Sequence, residues 1–193
     1  MNIKTKKSLG QHWLHDVDVL TDMVEIAEVV DGDTVIEVGP GLGTLTEFLL
    51  SYGAEVTAVE YDEELYARLK KDASKLYSDD AKRLTVVHED ILKFNFSEVK
   101  PGYKVVANIP YYLTSNLIRV LSEAQNPPQS LTLLIQKEVA ERVVAAPGDM
   151  SLLAVWAQMY FDCSLGPVVP ARLFTPPPKV DSQIVHMKRR EKP

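Results

Sequence analysis

The stretch Asn108-Ile109-Pro110-Tyr111-Tyr112 sets an amide, a proline and two aromatic rings directly after the apolar run Val105-Val106-Ala107. An amide oxygen and a backbone carbonyl near Pro110, fixed at a strand end, can together accept both hydrogens of an exocyclic amine. On a nucleobase such an amine is a poor nucleophile, because its lone pair is delocalised into the ring. Two acceptors favour a pyramidal nitrogen whose lone pair is aimed at an electrophile. Pro110 fixes its φ at about −65° and helps aim the carbonyl. The Tyr111 ring offers a face on which an extruded base can stack, worth ~1–3 kcal/mol. Chemistry of this kind needs no metal and no strong general base, since positioning and hydrogen bonding carry it. The plainer alternative is an ordinary turn whose tyrosines pack into the core.

Three further groups fall where apolar runs end. Glu37-Val38-Gly39-Pro40-Gly41-Leu42-Gly43 closes a β-branched run, and its glycines let the backbone pass close to a ligand that faces a helix amino terminus. The spacing is G-x-G-x-G. The dinucleotide fingerprint needs a third glycine at position 44, which is Thr44 here. Glu60 ends the next run, where a carboxylate can accept both hydroxyls of a ribose. Glu89-Asp90 ends the third, where a carboxylate can accept an adenine amino hydrogen. Together they favour an adenosine-containing ligand without phosphates over glycines that merely pack and acids that merely end strands. S-adenosylmethionine fits, with Glu60 at the ribose, Asp90 at the adenine and the Gly39–Gly43 loop at the methionine end.

These groups need a scaffold that brings strand ends together. Residues 16–30 carry apolar side chains at helical spacing and stop at Asp31-Gly32. Strands are expected over 34–39, 55–62, 83–90, 103–109 and 130–136, with helices over 44–52, 63–77, 114–124, 137–146 and 152–161. Thr114 or Ser115 is the expected cap of the helix over 114–124. Two last runs, 163–169 and 182–189, flank the proline-rich Phe174-Thr175-Pro176-Pro177-Pro178. Alternating strands and helices predict an α/β fold, a mostly parallel seven-stranded sheet with helices on both faces. Ligands bind such sheets at the carboxyl ends of strands, where strand order reverses. The strand ending at Asn108 is expected beside the one ending at Gly39, which places the amide next to the cofactor's methyl group.

Length and composition bound the rest. With 193 residues and 46% apolar content, one sizeable core is expected. A single cysteine, Cys163, excludes an internal disulfide and fits a reducing compartment. No secretory leader follows Met1, and no stretch approaches the roughly 20 apolar residues of a membrane span. The expectation is a soluble, cytoplasmic monomer with no membrane partner. The net charge is −6, but between Ser8 and Ala67 there are 14 acids and no Lys or Arg. That block suits a cationic ligand such as a sulfonium. Lys4, Lys6 and Lys7, with Arg172, Lys179, Lys188, Arg189, Arg190 and Lys192, make a basic rim if the two ends meet; otherwise they are solvated tails.

In family order the chain resembles the ribosomal RNA adenine dimethyltransferases: SLGQHWL, VIEVGPGLGTLTE, VEYD, HEDIL, NIPYYLTS, LLIQKEVAERVVA and FTPPPKVDSQIV. The resemblance covers nearly all of it and implies a Rossmann-like, class I S-adenosylmethionine-dependent methyltransferase domain over 1–193, with residues 1–14 as a cofactor- and RNA-contacting segment. It also implies dimethylation of two adjacent adenines near the 3′ end of small-subunit ribosomal RNA, in ribosome biogenesis. His12, Leu14, Gly39, Gly41, Glu60, Asp90 and Asn108 are the implied cofactor contacts. Asn108, Pro110 and Tyr111 would hold the adenine, with Phe174 stacked on its other face. The family usually carries asparagine where His12 stands and phenylalanine where Trp13 stands. A Ser-Lys-x-Tyr-Gly-Arg-like stretch near residue 150 is shortened to PGDMSLLAV, and the family's small helical domain after the last strand is not part of this sequence. Two alternatives remain: a large-subunit enzyme of the macrolide-resistance type, and an assembly factor acting mainly by RNA binding.

Overall fold

The structure, a computed structural model, describes residues 11–76, 82–110 and 112–191. β1 (Trp13–Leu14) leads into α1 (Val17–Ile26), β2 (Thr34–Val38), α2 (Thr44–Ser51), β3 (Glu55–Glu60), α3 (Glu63–Leu76) and β4 (Leu84–His88). β5 (Lys104–Asn108), α4 (Thr114–Glu123), β6 (Ser130–Gln136), α5 (Lys137–Val143) and α6 (Leu152–Tyr160) follow. The described chain then runs through β7 (Phe161–Val169), β8 (Phe174–Thr175) and β9 (Ser182–Arg189).

Seven strands form one sheet in the order β4-β3-β2-β5-β6-β9-β7, as the alternation predicts. Strands β4 through β6 are mutually parallel, and β9 inserts antiparallel between β6 and β7. Successive strand residues serve opposite faces. Val35 and Val106 pack with Leu20, Met23, Leu45 and Leu49 of α1 and α2, while Ile36, Val105 and Ala107 pack with Leu117, Ile118 and Leu121 of α4. Burial on both faces explains why these strands read as unbroken apolar runs. Among the described residues no helix is long and apolar enough to cross a membrane.

One expectation fails. Helix α4 begins at Thr114 itself, with Leu113 at the cap position and no side-chain cap. The Pro110 carbonyl accepts the Leu113 N–H at 3.0 Å, so the turn after β5 feeds the helix without a hydroxyl. Of the two readings of the basic residues, a rim or solvated tails, the last strand supplies no rim. Because β9 runs against the others, its end returns to the edge of the sheet away from the parallel strands' carboxyl termini, with Lys188 in register with Ser130. There Lys188 pairs with Glu28 at 3.3 Å and Arg190 with Asp162 at 2.8 Å. Arg172 and Lys179 flank β8; Lys4, Lys6, Lys7 and Lys192 lie outside the described residues.

That same edge is pinned by a buried cation. Lys104, 8% exposed at its side chain, donates to Asp33 at 2.8 Å and to the Glu28 carbonyl. Glu28 stands at φ 53° where the chain leaves α1. Burial alone would raise the Asp33 carboxyl, but the Lys104 ammonium and the Val30 N–H hold it below the ordinary range. A depressed folded-state value gives stability that is present above the unfolded value, near 4, and lost as pH falls through the folded one. Lys104→Met is expected to lower the unfolding free energy by about 2 kcal/mol, less than for a fully buried pair because Asp33 is partly solvated. Urea denaturation at pH 7 measures this; an unchanged midpoint would show that solvent already screens the pair.

Candidate active site

The strand order reverses between β2 and β5, and there, at the strands' carboxyl ends, opens a cavity of about 340 Å³. Of the described residues predicted for the site, all line it: His12, Leu14, Gly39, Gly41, Glu60, Asp90, Asn108, Pro110 and Phe174. Tyr111 lies outside the described residues.

The glycine loop is built for close approach. Gly39 and Gly41 hold φ values of 64° and 58°, a region that disfavours other residues. A Cβ on Gly39 would meet nothing within 4 Å, whereas one on Gly41 would stand 2.5 Å from Cζ3 of the Trp13 ring. The first glycine therefore keeps space open and the second lets the N-terminal segment seat against the loop. Thr44, standing where a dinucleotide site has its third glycine, donates its hydroxyl to the Leu14 carbonyl at 3.0 Å. The departure from that fingerprint thus has a task, which is to tie β1 to the start of α2.

Glu60 is buried at the end of β3. Its Oε2 accepts the Gly41 N–H at 3.1 Å and its Oε1 the Asp62 N–H at 2.8 Å. A carboxylate offers about four lone-pair sites, more than these N–H groups use, which leaves acceptor capacity for a ligand hydroxyl. Burial raises the carboxyl's pKa, against the pull of those two N–H groups. Asp90 turns Oδ1 to the Leu92 N–H at 3.0 Å, which leaves Oδ2 for a ligand. Asn108 ends β5 in register with Leu134 of β6, while the pairing of β5 with β2 ends two residues earlier, at Val106. The Pro110 carbonyl serves Leu113, and Ile109, which also lines the cavity, is biased toward extended backbone by the proline that follows it.

Several lining groups escaped the sequence reading. Glu37 is 2% exposed, accepts the Thr46 hydroxyl at 2.6 Å, and is pushed up to about 8 by burial, opposed by Thr46 and reinforced by the Glu60 charge. Its place before Val38-Gly39 was visible, but its orientation toward the cavity is not a property of the run. Tyr61 and Tyr112, each 63% exposed, stand at the mouth. Gln11 donates to Asp62 at 3.2 Å. The N-terminal segment itself forms a second sheet: β1 pairs antiparallel with β8, Trp13 opposite Thr175 and Leu14 opposite Phe174. This pairing brings Phe174, 4% exposed, to the cavity wall. His12 turns Nδ1 to the Pro176 carbonyl at 2.6 Å.

Four acids, Glu37, Glu60, Glu89 and Asp90, line the cavity, and no Lys or Arg does among the described residues. Phosphates would be repelled; a cation would be attracted. Among the described residues no three His, Cys, Asp or Glu side chains cluster to hold a metal ion.

Comparison with known proteins agrees in sequence and shape. The family model described as ribosomal RNA adenine dimethylase matches residues 2–193. Ribosomal RNA small subunit methyltransferase A of Dehalococcoides mccartyi is 45% identical over 186 residues, 95% of this chain and 62% of that protein. The protein of that name from Listeria monocytogenes is 41% identical over 198 residues, covering 97% and 65%. The chain thus spans somewhat under two thirds of these relatives' length. Among solved structures, the 23S rRNA methyltransferase ErmE superposes with a TM-score of 0.82 at 31% identity, covering 94% of this chain and 71% of that one. A dimethyladenosine transferase from Plasmodium falciparum gives 0.81 at 30% identity, covering 93% and 64%.

Proposed function

The chain belongs to the ribosomal RNA adenine dimethylase family, and from that premise we propose that it transfers methyl groups from S-adenosylmethionine to the N6 amine of adenines in small-subunit ribosomal RNA. Its fold is that of the class I methyltransferases. The observation that carries the proposal is an acid-lined cavity, free of basic residues among those described, that ends on Asn108-Ile109-Pro110. The small-subunit assignment rests on the relatives of that name at 41–45% identity.

The cofactor supplies an electrophilic methyl group carried on a positive sulfur. The residues present fit it: open space at Gly39, the two carboxylate oxygens of Glu60, and a second carboxylate at Asp90. We assign Glu60 to the ribose hydroxyls, Asp90 to the adenine amine, and Leu14, Gly39 and Gly41 to the methionine end. Asn108 takes the methyl-proximal position. The side-chain oxygen of Asn108 and the Ile109 carbonyl accept the two hydrogens of the target amine and turn its lone pair toward the methyl carbon. One of those hydrogens then leaves as a proton. Phe174 walls the base on one side; Tyr111 keeps its stacking part on the sequence alone. The cytoplasm and the monomer are expectations carried over with this reading.

Glu37 adds a pH dependence. Its raised value means that the empty site holds a proton there up to about pH 8. For folding, the native chain keeps a proton that the unfolded chain releases, so this group lowers stability as pH rises from about 4.5 to about 8. For binding, a cation beside Glu37 favours the carboxylate and expels the proton. Affinity for S-adenosylmethionine is therefore expected to rise with pH, by up to about tenfold per unit, and to level off above about 8. Isothermal titration of wild type and Glu37→Gln across pH 6.5 to 8.5 measures it, and identical profiles would remove Glu37 from the linkage.

The function itself is tested by incubating the chain with labelled cofactor and immature small subunits, then analysing digested RNA by mass spectrometry. N6-dimethyladenosine at adjacent small-subunit positions is expected. Label confined to large-subunit RNA would favour the macrolide-resistance type, and binding without label would leave an assembly factor.

A further inference from the structure

The Asp62 N–H that donates to Glu60 Oε1 at 2.8 Å belongs to the peptide linking Tyr61 to Asp62. At the other end of that peptide the Tyr61 carbonyl lies 3.2 Å from Nε2 of His88. A carbonyl only accepts, so Nε2 carries the proton and donates it. His88 stands in β4, the edge strand of the sheet, in register with Glu60 itself. Its ring is stacked on Tyr66 of α3, with centroids 5.1 Å apart and planes 19° from parallel, so the imidazole meets the carbonyl in a restrained pose. The peptide is thus gripped at both ends, by a carboxylate at its N–H and by an imidazole at its C=O. A tilt of its plane would withdraw the N–H from Oε1 and shift Tyr61, which stands at the cavity mouth.

We propose that His88 is a positioning residue for the cofactor site: by holding the Tyr61 carbonyl it fixes the peptide whose N–H aims Glu60 at the ribose. The inference rests on the reading of Glu60 as the ribose acceptor. A side chain that carries a ligand contact is only as precise as the groups that hold it. His88 therefore sets cofactor affinity and not the chemical step, because its hydrogen bond leads to Glu60 and not to the strand end that carries Asn108. Along the chain it reads only as the residue before Glu89-Asp90; the register of β3 against β4 gives it this task.

Two substitutions in the 193-residue chain separate the hydrogen bond from the ring. His88→Phe keeps an aromatic face for Tyr66 but cannot donate. His88→Gln loses the ring but offers an amide N–H at a reach similar to that of Nε2. Cofactor Kd, methyl transfer to immature small subunits at saturating cofactor, and melting temperature are measured on each. His88→Phe is expected to raise the Kd for S-adenosylmethionine five- to tenfold, with kcat within twofold of wild type. His88→Gln should stay within twofold in Kd. In a Glu60→Ala background His88→Phe should cost no more than a further twofold, since the carboxylate it serves is gone. An unchanged Kd in His88→Phe, an equal or larger loss in His88→Gln, or losses that multiply with Glu60→Ala would each overturn the inference while leaving the methyltransferase reading intact. A wild-type chain that binds no S-adenosylmethionine would defeat that reading, and the inference with it.

Discussion

Replacing Asn108 by alanine is expected to slow methyl transfer about a hundredfold or more while S-adenosylmethionine still binds within a few-fold of wild type. The alanine removes one of the two acceptors that turn the amine's lone pair out of conjugation. Loss of one preorganised polar partner at a reacting centre costs ~2.7–4 kcal/mol of barrier. The Ile109 carbonyl remains, so activity falls without vanishing. The fold should tolerate the change, because the backbone at Asn108 stays paired with Leu134 of β6 and the rest of β5 lies between β2 and β6. Single-turnover transfer at saturating cofactor isolates the step, and Asn108→Asp offers a second test. Its carboxylate accepts hydrogen bonds as well as the amide but adds charge beside Glu60 and Asp90, so it should retain more activity than alanine and titrate with pH. Wild-type turnover in the alanine protein would take Asn108 out of the chemistry.

Glu60→Ala should weaken S-adenosylmethionine binding by about 3 kcal/mol, roughly 150-fold in Kd. Two losses combine there. The ribose loses its charged acceptor, and the Gly41 and Asp62 N–H groups lose theirs, at 3.1 and 2.8 Å in the intact protein. The second loss loosens the glycine loop at the methionine end, so the damage spreads beyond the residue's own contact. Glu60→Gln keeps one oxygen and should lose only about tenfold. Melting temperatures serve as the control. The carboxyl's raised pKa means burial already works against its charge, so the alanine variant's stability should fall less than its affinity. A folded Glu60→Ala protein with unchanged titration enthalpy and Kd would exclude Glu60 from the cofactor site.

Much of this site could be read along the chain because each of its parts ends a regular element. Apolar runs with both faces buried identify themselves, and a glycine, an acid or an amide at the run's end falls at the sheet's carboxyl edge by the direction of the strand alone. That logic placed Gly39, Glu60, Asp90 and Asn108 around one cavity before any contact was known. It also assigned an adenosine ligand without phosphates, through the glycine spacing and the 14 acids that precede the first basic residue of the body.

Side-chain partners and long-range pairings were another matter. The carbonyl near Pro110 could not be told apart from its neighbours in the sequence; the Pro110 carbonyl itself accepts from Leu113, because a turn spends its carbonyls according to where the next helix starts. The charge pattern left open whether the basic ends form a rim or solvated tails; the last strand carries its basic residues to the other edge, since an antiparallel strand reverses direction only by virtue of the partners it inserts between. The buried Glu37 is pushed up to about 8 by surroundings contributed from α2 and β3. What composition, periodicity and spacing determined was the sheet, its helices and the residues at the strand ends, all set by local pattern and burial. Only the tertiary structure decided that β1 pairs with β8 and that His12 reaches Pro176, since a two-residue ladder has no periodicity to announce it and exists only once the sheet has brought its two halves together.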